Sequence, residues 1–155
     1  MNRTLSAIIV TALLFTMAAC SEKKAPEPAA LQGKNILSVL KAMGQSYEKK
    51  NLNAFMSDVS DRYPDRGPFS KSIAAIFAKY ETIHFNIQYT KMLVMAKEGG
   101  QIKATFTWDA EWLAAKGTAQ KNGGRVTLVF DPGSFKLVAI EGKSPFIPAE
   151  NSVKQ

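Results

Sequence analysis

The chain has 155 residues, of which 20 are Lys or Arg and 13 are Asp or Glu, for a net charge of +7. It holds one cysteine and one histidine, which excludes an internal disulfide framework and a histidine-based metal cluster. The length beyond the amino-terminal segment described next, about 115 residues, suits one domain with one core and is too short for two.

The chain opens MNRTLSAIIVTALLFTMAAC. Arg3 precedes an apolar run from Leu5 to Phe15, and small residues lead to Cys20. A bilayer-spanning helix needs about 20 apolar residues, so this shorter run reads as a secretory signal, residues 1–19. Met17-Ala18-Ala19-Cys20 resembles the bacterial lipobox, which implies cleavage before Cys20 and lipidation of its thiol. An unlipidated lone thiol would be a liability outside the cytoplasm, so Cys20 is read as a membrane anchor. Ser21 at the next position resembles the pattern of lipoproteins sent to the outer membrane, and implies a protein held there facing the periplasm. Residues 20–33 then form the lipidated cysteine and a tether: SEKKAPEPAALQG is polar, bears prolines and has no apolar period.

Removing Arg3 with the signal leaves 19 basic against 13 acidic residues, a net of +6. The balance can favour anionic surfaces such as lipid head groups. The lysines are spread along the chain with no dense run, so a solvated surface is the plainer reading, and export removes nucleic acid as a partner.

From Asn35 to Lys50, Ile36, Val39, Leu40, Met43 and Tyr47 recur at three- and four-residue steps, predicting an amphipathic helix. A short second helix is expected to start at Asn53 as cap and to bury Phe55, Met56 and Val59. After the loop SDRYPDRGP, Ser70 is expected to cap a third helix burying Ile73, Ile76, Phe77 and Tyr80.

Beyond Tyr80 the period changes to two. HFNIQY alternates Phe85, Ile87 and Tyr89 against His84, Asn86 and Gln88. KMLVMAKEGGQIKATF reads as strand, turn and returning strand, with a bulge or bend where Met92–Met95 breaks the alternation. A further strand ends near Trp112. Lys116–Asn122 and Gly123-Gly124 are read as leading into the strand RVTLVFD, and Asp131-Pro132-Gly133-Ser134 turns the chain into FKLVAIEG. Helices followed by antiparallel strands define an α+β domain, assigned to residues 34–148 with a tail at 149–155.

That order resembles the nuclear transport factor 2-like superfamily, the cone-shaped α+β roll shared with ketosteroid isomerase and polyketide cyclases. The matching features are the first helix with NLNAFMSDVSDRY, then IHFNIQYTKMLV, IKATFTWDAEW and RVTLVFDPGSFKLVAIEG. Val59-Ser60-Asp61-Arg62-Tyr63-Pro64-Asp65 is similar to the VSxxYxD segment of small bacterial lipoproteins in that superfamily. The resemblance implies N-terminal helices packed on a curved antiparallel sheet around a pocket. It implies no fixed chemistry, because the fold hosts enzymes and binding modules alike.

The stretch FTWDAEW sets two carboxylates between two tryptophans. Residues two apart share a strand face, so Phe106, Trp108, Ala110 and Trp112 face the helices while Thr105, Thr107, Asp109 and Glu111 face outward. The expected pocket wall is Tyr47, Phe77, Tyr89, Phe106, Trp108 and Trp112. An isomerase would need a carboxylate base and an oxyanion donor in that pocket. The candidates are Tyr47 with Asp58, Asp61 or Asp109, and none matches a family motif residue by residue. Asp58, Asp61 and Asp65 lack the spacing of a calcium loop and alternate with Arg62 and Arg66. Met43, Met56, Met92 and Met95 fit a core pattern rather than a metal site. The sequence thus predicts a lipid-anchored envelope protein whose domain binds a small apolar or amphipathic molecule, with no cofactor and no catalysis. One alternative is a partner-binding lipoprotein with a filled core, contacting an envelope protein. The other is a ketosteroid isomerase- or cyclase-like enzyme.

Overall fold

A computed structural model describes residues 29–89, 92–96, 100–115 and 117–148. The segment read as a signal, Cys20, most of the segment read as a tether, residues 97–99 and the tail at 149–155 lie outside these residues. Among the described residues three helices precede five strands: α1 (Ala29–Glu48), α2 (Leu52–Ser57), α3 (Arg66–Lys79), β1 (Thr82–Ile87), β2 (Leu93–Ala96), β3 (Ile102–Leu113), β4 (Ala119–Phe130) and β5 (Leu137–Glu141). The helices pack on one face of a curved, open antiparallel sheet.

The helix faces follow the apolar period. Ile36, Leu40, Met43 and Tyr47 of α1 are all buried, with Val39 packed beside them. The boundaries are less regular. α1 begins at Ala29, five residues inside the segment read as tether. It ends in a Schellman-type closure, with Asn51 N–H donating to Ser46 O (2.9 Å), Lys50 N–H donating to Tyr47 O (3.0 Å) and Lys50 left-handed at φ 54°. The cap of α2 is Asn51 rather than Asn53, because the Asn51 side chain accepts from Ala54 N–H at 3.1 Å. α3 begins at Arg66, after Asp65, and not at Ser70. Pro68 sits inside its first turn, where its missing N–H costs no helical bond.

The strand order is β1-β3-β4-β5, with β2 also paired to β3. β1 takes positions 108–113 of β3 and β2 takes 102–105. The bend expected near Met92 is therefore the interruption between two strands sharing one edge of β3. Met95 departs from the expected core pattern. It pairs with Lys103, on the outward face, and is 42% exposed.

β4 is also longer than its sequence suggests. It starts at Ala119, so Gly123 and Gly124 lie within a strand, opposite Asp109 and Trp108. A Cβ on Gly123 would stand 2.9 Å from the Trp108 carbonyl oxygen. Glycine here permits close strand approach rather than a turn. At the free edge of β1, Phe85 N–H donates to Glu48 Oε1 at 2.9 Å, so α1 supplies an acceptor that an edge strand otherwise lacks. At the other edge, Leu137 N–H donates to Asp58 O and Ser60 N–H to Leu137 O, both at 2.8 Å. This ties the VSDRYPD loop to β5.

Candidate functional site

β3 carries the concave face. Ile102, Ala104, Phe106, Trp108, Ala110 and Trp112 are buried, and the intervening residues are half-buried or exposed. Opposite them, the last turn of α1 presents Tyr47, which is fully buried. The Tyr47 hydroxyl lies 2.8 Å from Trp112 Nε1 and 2.6 Å from the Phe146 carbonyl oxygen. An indole N–H can only donate and a carbonyl can only accept, so the phenolic proton is committed to Phe146. Burial pushes the Tyr47 phenol far above its usual range, with the Trp112 bond partly offsetting it.

Around Tyr47 the rings of Phe55, Phe77, Phe85 and Phe146 stand 5.4–5.7 Å away, centroid to centroid. Of the six residues expected to form the wall, Tyr47, Phe106, Trp108 and Trp112 lie deep. Phe77 and Tyr89 are half-buried at its margin, and Tyr89 lies under Lys41 Nζ at 5.8 Å. Phe146 is the participant that the sequence did not single out. It follows the last strand in SPFIP, where no period marks it, and the one cue is an aromatic residue between two prolines.

Trp108 differs from Trp112. Its ring is 1% exposed and packs against Phe85 at 6.3 Å, yet its Nε1 has no hydrogen-bond partner among the described residues. Asn122 faces the same side from β4, and its Nδ2 is likewise buried and unpartnered. Its Oδ1 accepts from Gly123 N–H and Lys143 Nζ. In register Asn122 is opposite Ala110 and Gly124 is directly opposite Trp108, and a Cβ added at Gly124 would meet nothing within 4 Å. The concave face thus carries two side-chain N–H donors without a partner among the described residues. No charged side chain is buried among the described residues.

The acidic candidates are not gathered there. Asp58 caps the end of α2, half-buried, and burial raises its carboxyl above the usual value against the pull of Lys136. Asp61 is exposed, 3.5 Å from Arg66 Nε. Asp109 is on the outward face and accepts from Asn86 Nδ2 at 3.0 Å. Among the described residues no group of three or more His, Cys, Asp or Glu is placed to hold a metal ion. His84 is exposed on β1. A separate open groove of about 510 Å³ is lined by Arg62, Pro64, Asp131 and Val138 among others, and by none of the six wall residues.

Three helices on the concave side of an open antiparallel sheet define a cone-shaped α+β roll. Solved structures make the class specific. A nuclear transport factor 2 (NTF2-like) superfamily protein from Salmonella enterica serovar Typhimurium aligns with a TM-score of 0.62 at 12% identity, over 81% of this chain and 97% of that one. A conserved protein from Planctomyces limnophilus aligns with 0.62 at 11%, over 73% and 95%. BvnE pinacolase from Penicillium brevicompactum aligns with 0.57 at 11%, over 70% and 82%. No family model and no curated protein matches the sequence. The chain has the nuclear transport factor 2-like fold.

Proposed function

We propose that this is an envelope lipoprotein, anchored through Cys20, whose domain binds a small, uncharged, largely apolar molecule without transforming it. The observation that carries the reading is the Trp108 indole N–H, buried without an acceptor in an aromatic wall. Leaving such a donor unpaired costs about 1–3 kcal/mol, and a ligand oxygen at that point removes the cost. Asn122 Nδ2 offers a second donor on the same face. Among the described residues a charged ligand would find no buried charged side chain, and it would lose its hydration. A ketone, ester, amide or alcohol on an apolar frame fits this chemistry.

Binding rather than catalysis is favoured by the separation of the acidic residues from Tyr47 and by the commitment of the Tyr47 proton to Phe146. The filled-core alternative draws on one observation, the packing of Phe146 against Tyr47, Phe55 and Phe85. Native mass spectrometry of the protein taken from its own envelope tests these readings. A retained neutral small molecule that is lost in Trp108→Phe supports binding, and a retained protein supports the partner reading. Substituting Asp58, Asp61 and Asp109 together with Asn should leave ligand retention unchanged. A turnover abolished by that triple variant, with folding intact, would establish an enzyme.

A further inference from the structure

Leu31, Leu93, Met95 and Ile147 are the exposed large hydrophobic residues of the described chain, at 44%, 49%, 42% and 36%. The first three lie toward one end of the domain, Leu31 on the helix side of the sheet and Leu93 and Met95 on its outward face. α1 runs antiparallel to the β1–β2 edge: Glu48 and Gly44 meet Phe85, Lys41 meets Tyr89, and α1 also contacts β2. β2 therefore lies beside the N-terminal half of α1, at the end where Leu31 is exposed. Leu93 and Met95 pair with Thr105 and Lys103, so both side chains lie on the outward face of the sheet rather than in the core. Lys34, one turn along α1, is exposed at the same end.

Eight residues, and so nine backbone steps, lie between Cys20 and Ala29, where α1 begins. Fully extended, they span at most about 30 Å. A lipid on Cys20 would keep this end of the domain within about 30 Å of the bilayer. Tethering at short range raises the effective concentration of the surface, so contacts too weak to bind alone become populated. Leucine and methionine side chains can enter the interfacial layer while a neighbouring lysine remains among anionic head groups.

We propose that the Leu31–Leu93–Met95 end docks on the phospholipid surface and fixes the orientation of the domain, with β2 against the membrane and the β3–β4 connection away from it. The proposal rests on the anchor at Cys20, and the test separates the two. Two samples are placed on vesicles of phosphatidylethanolamine and phosphatidylglycerol. One is the protein with its natural amino terminus. In the other, the chain from Cys20 to Gln155 is coupled through that thiol to a maleimide-headgroup phospholipid. Mild peroxide oxidation of Met95 is followed by mass spectrometry, with acetylation of Lys121, at the start of β4, as the reference for the far end.

In the chemically tethered sample, Met95 should oxidise severalfold more slowly on vesicles than in solution, and Lys121 should react equally in both. Leu93→Ser, a substitution at an exposed position, should return Met95 oxidation toward its solution rate with the protein still tethered. Unchanged Met95 oxidation on vesicles, or equal shielding of both ends, would overturn the docking. Failure of the natural anchor would appear only in the first sample, as protein that does not sediment with vesicles.

Discussion

Tyr47 connects three parts of the molecule through one hydroxyl: α1, β3 through Trp112, and the carboxy-terminal segment through Phe146. Tyr47→Phe keeps the ring contacts but leaves a buried indole donor and a carbonyl without their partner, so it should cost about 1–3 kcal/mol in urea denaturation. Asp131 is the other residue with a distinct thermodynamic role. Its Oδ1 accepts from Ser134 N–H, Gly133 N–H and Ser134 Oγ, and its other oxygen pairs with Arg62. These bonds, led by the Ser134 amide, hold the carboxyl below its usual value. Because the folded value is depressed, its stabilising contribution is complete above the unfolded value of about 3.9 and is lost as pH falls through the folded one. Asp131→Ala should therefore lower the urea midpoint near pH 6 and narrow the gap between pH 6 and pH 3. Asp58, raised by its own burial, acts with the opposite sign and does not create this loss.

At the scale of elements, the β3 alternation predicts unequal neighbours. Trp108→Ala removes a fully buried ring and should cost about 3–5 kcal/mol, whereas Thr107→Ala, on the outward face, should stay within about 0.5 kcal/mol. The two glycines of β4 form a second contrast. Gly123→Ala forces a Cβ to within 2.9 Å of the Trp108 carbonyl and must displace the ladder. Gly124→Ala enters open space and should be neutral or stabilising by about 0.4–1 kcal/mol, while crowding the position assigned to ligand beside Trp108. Thermal melts of both variants and ligand retention by the second would check this pair.

These elements also mark where the sequence was legible. The faces of α1 and β3 were readable because burial imposes a period that side-chain chemistry must follow. Helix starts were not, since Asn51 competes with Asn53, and Asp65 with Ser70, through local backbone geometry rather than composition. Gly123 carried the chemistry of a turn but serves strand contact, a distinction set by what lies across the sheet. The aromatic residues of the concave face were legible from the alternation of β3 and the period of α1. The donors of that face were not, because whether an indole N–H has a partner depends on residues distant in sequence, such as Tyr47 for Trp112.

For the whole molecule, a concave aromatic face, two unpartnered donors and the lack of a buried charged side chain among the described residues support the proposed account, in which the domain holds a neutral oxygen-bearing apolar ligand at Trp108. The net charge of +7 then belongs to the exterior and not to ligand selection. With only two tryptophans in the chain, the indole N–H resonances report this directly. Trp108→Phe assigns them by loss of one signal. Titration with a neutral apolar ketone such as 2-acetylnaphthalene, followed by two-dimensional nitrogen–proton NMR, is the most direct test. The account predicts that the Trp108 indole proton moves downfield as it gains an acceptor, while the Trp112 proton, already bonded to Tyr47, stays nearly in place. Saturable binding of the ketone that leaves the Trp108 resonance unmoved, or that is undiminished in Trp108→Phe, would contradict it.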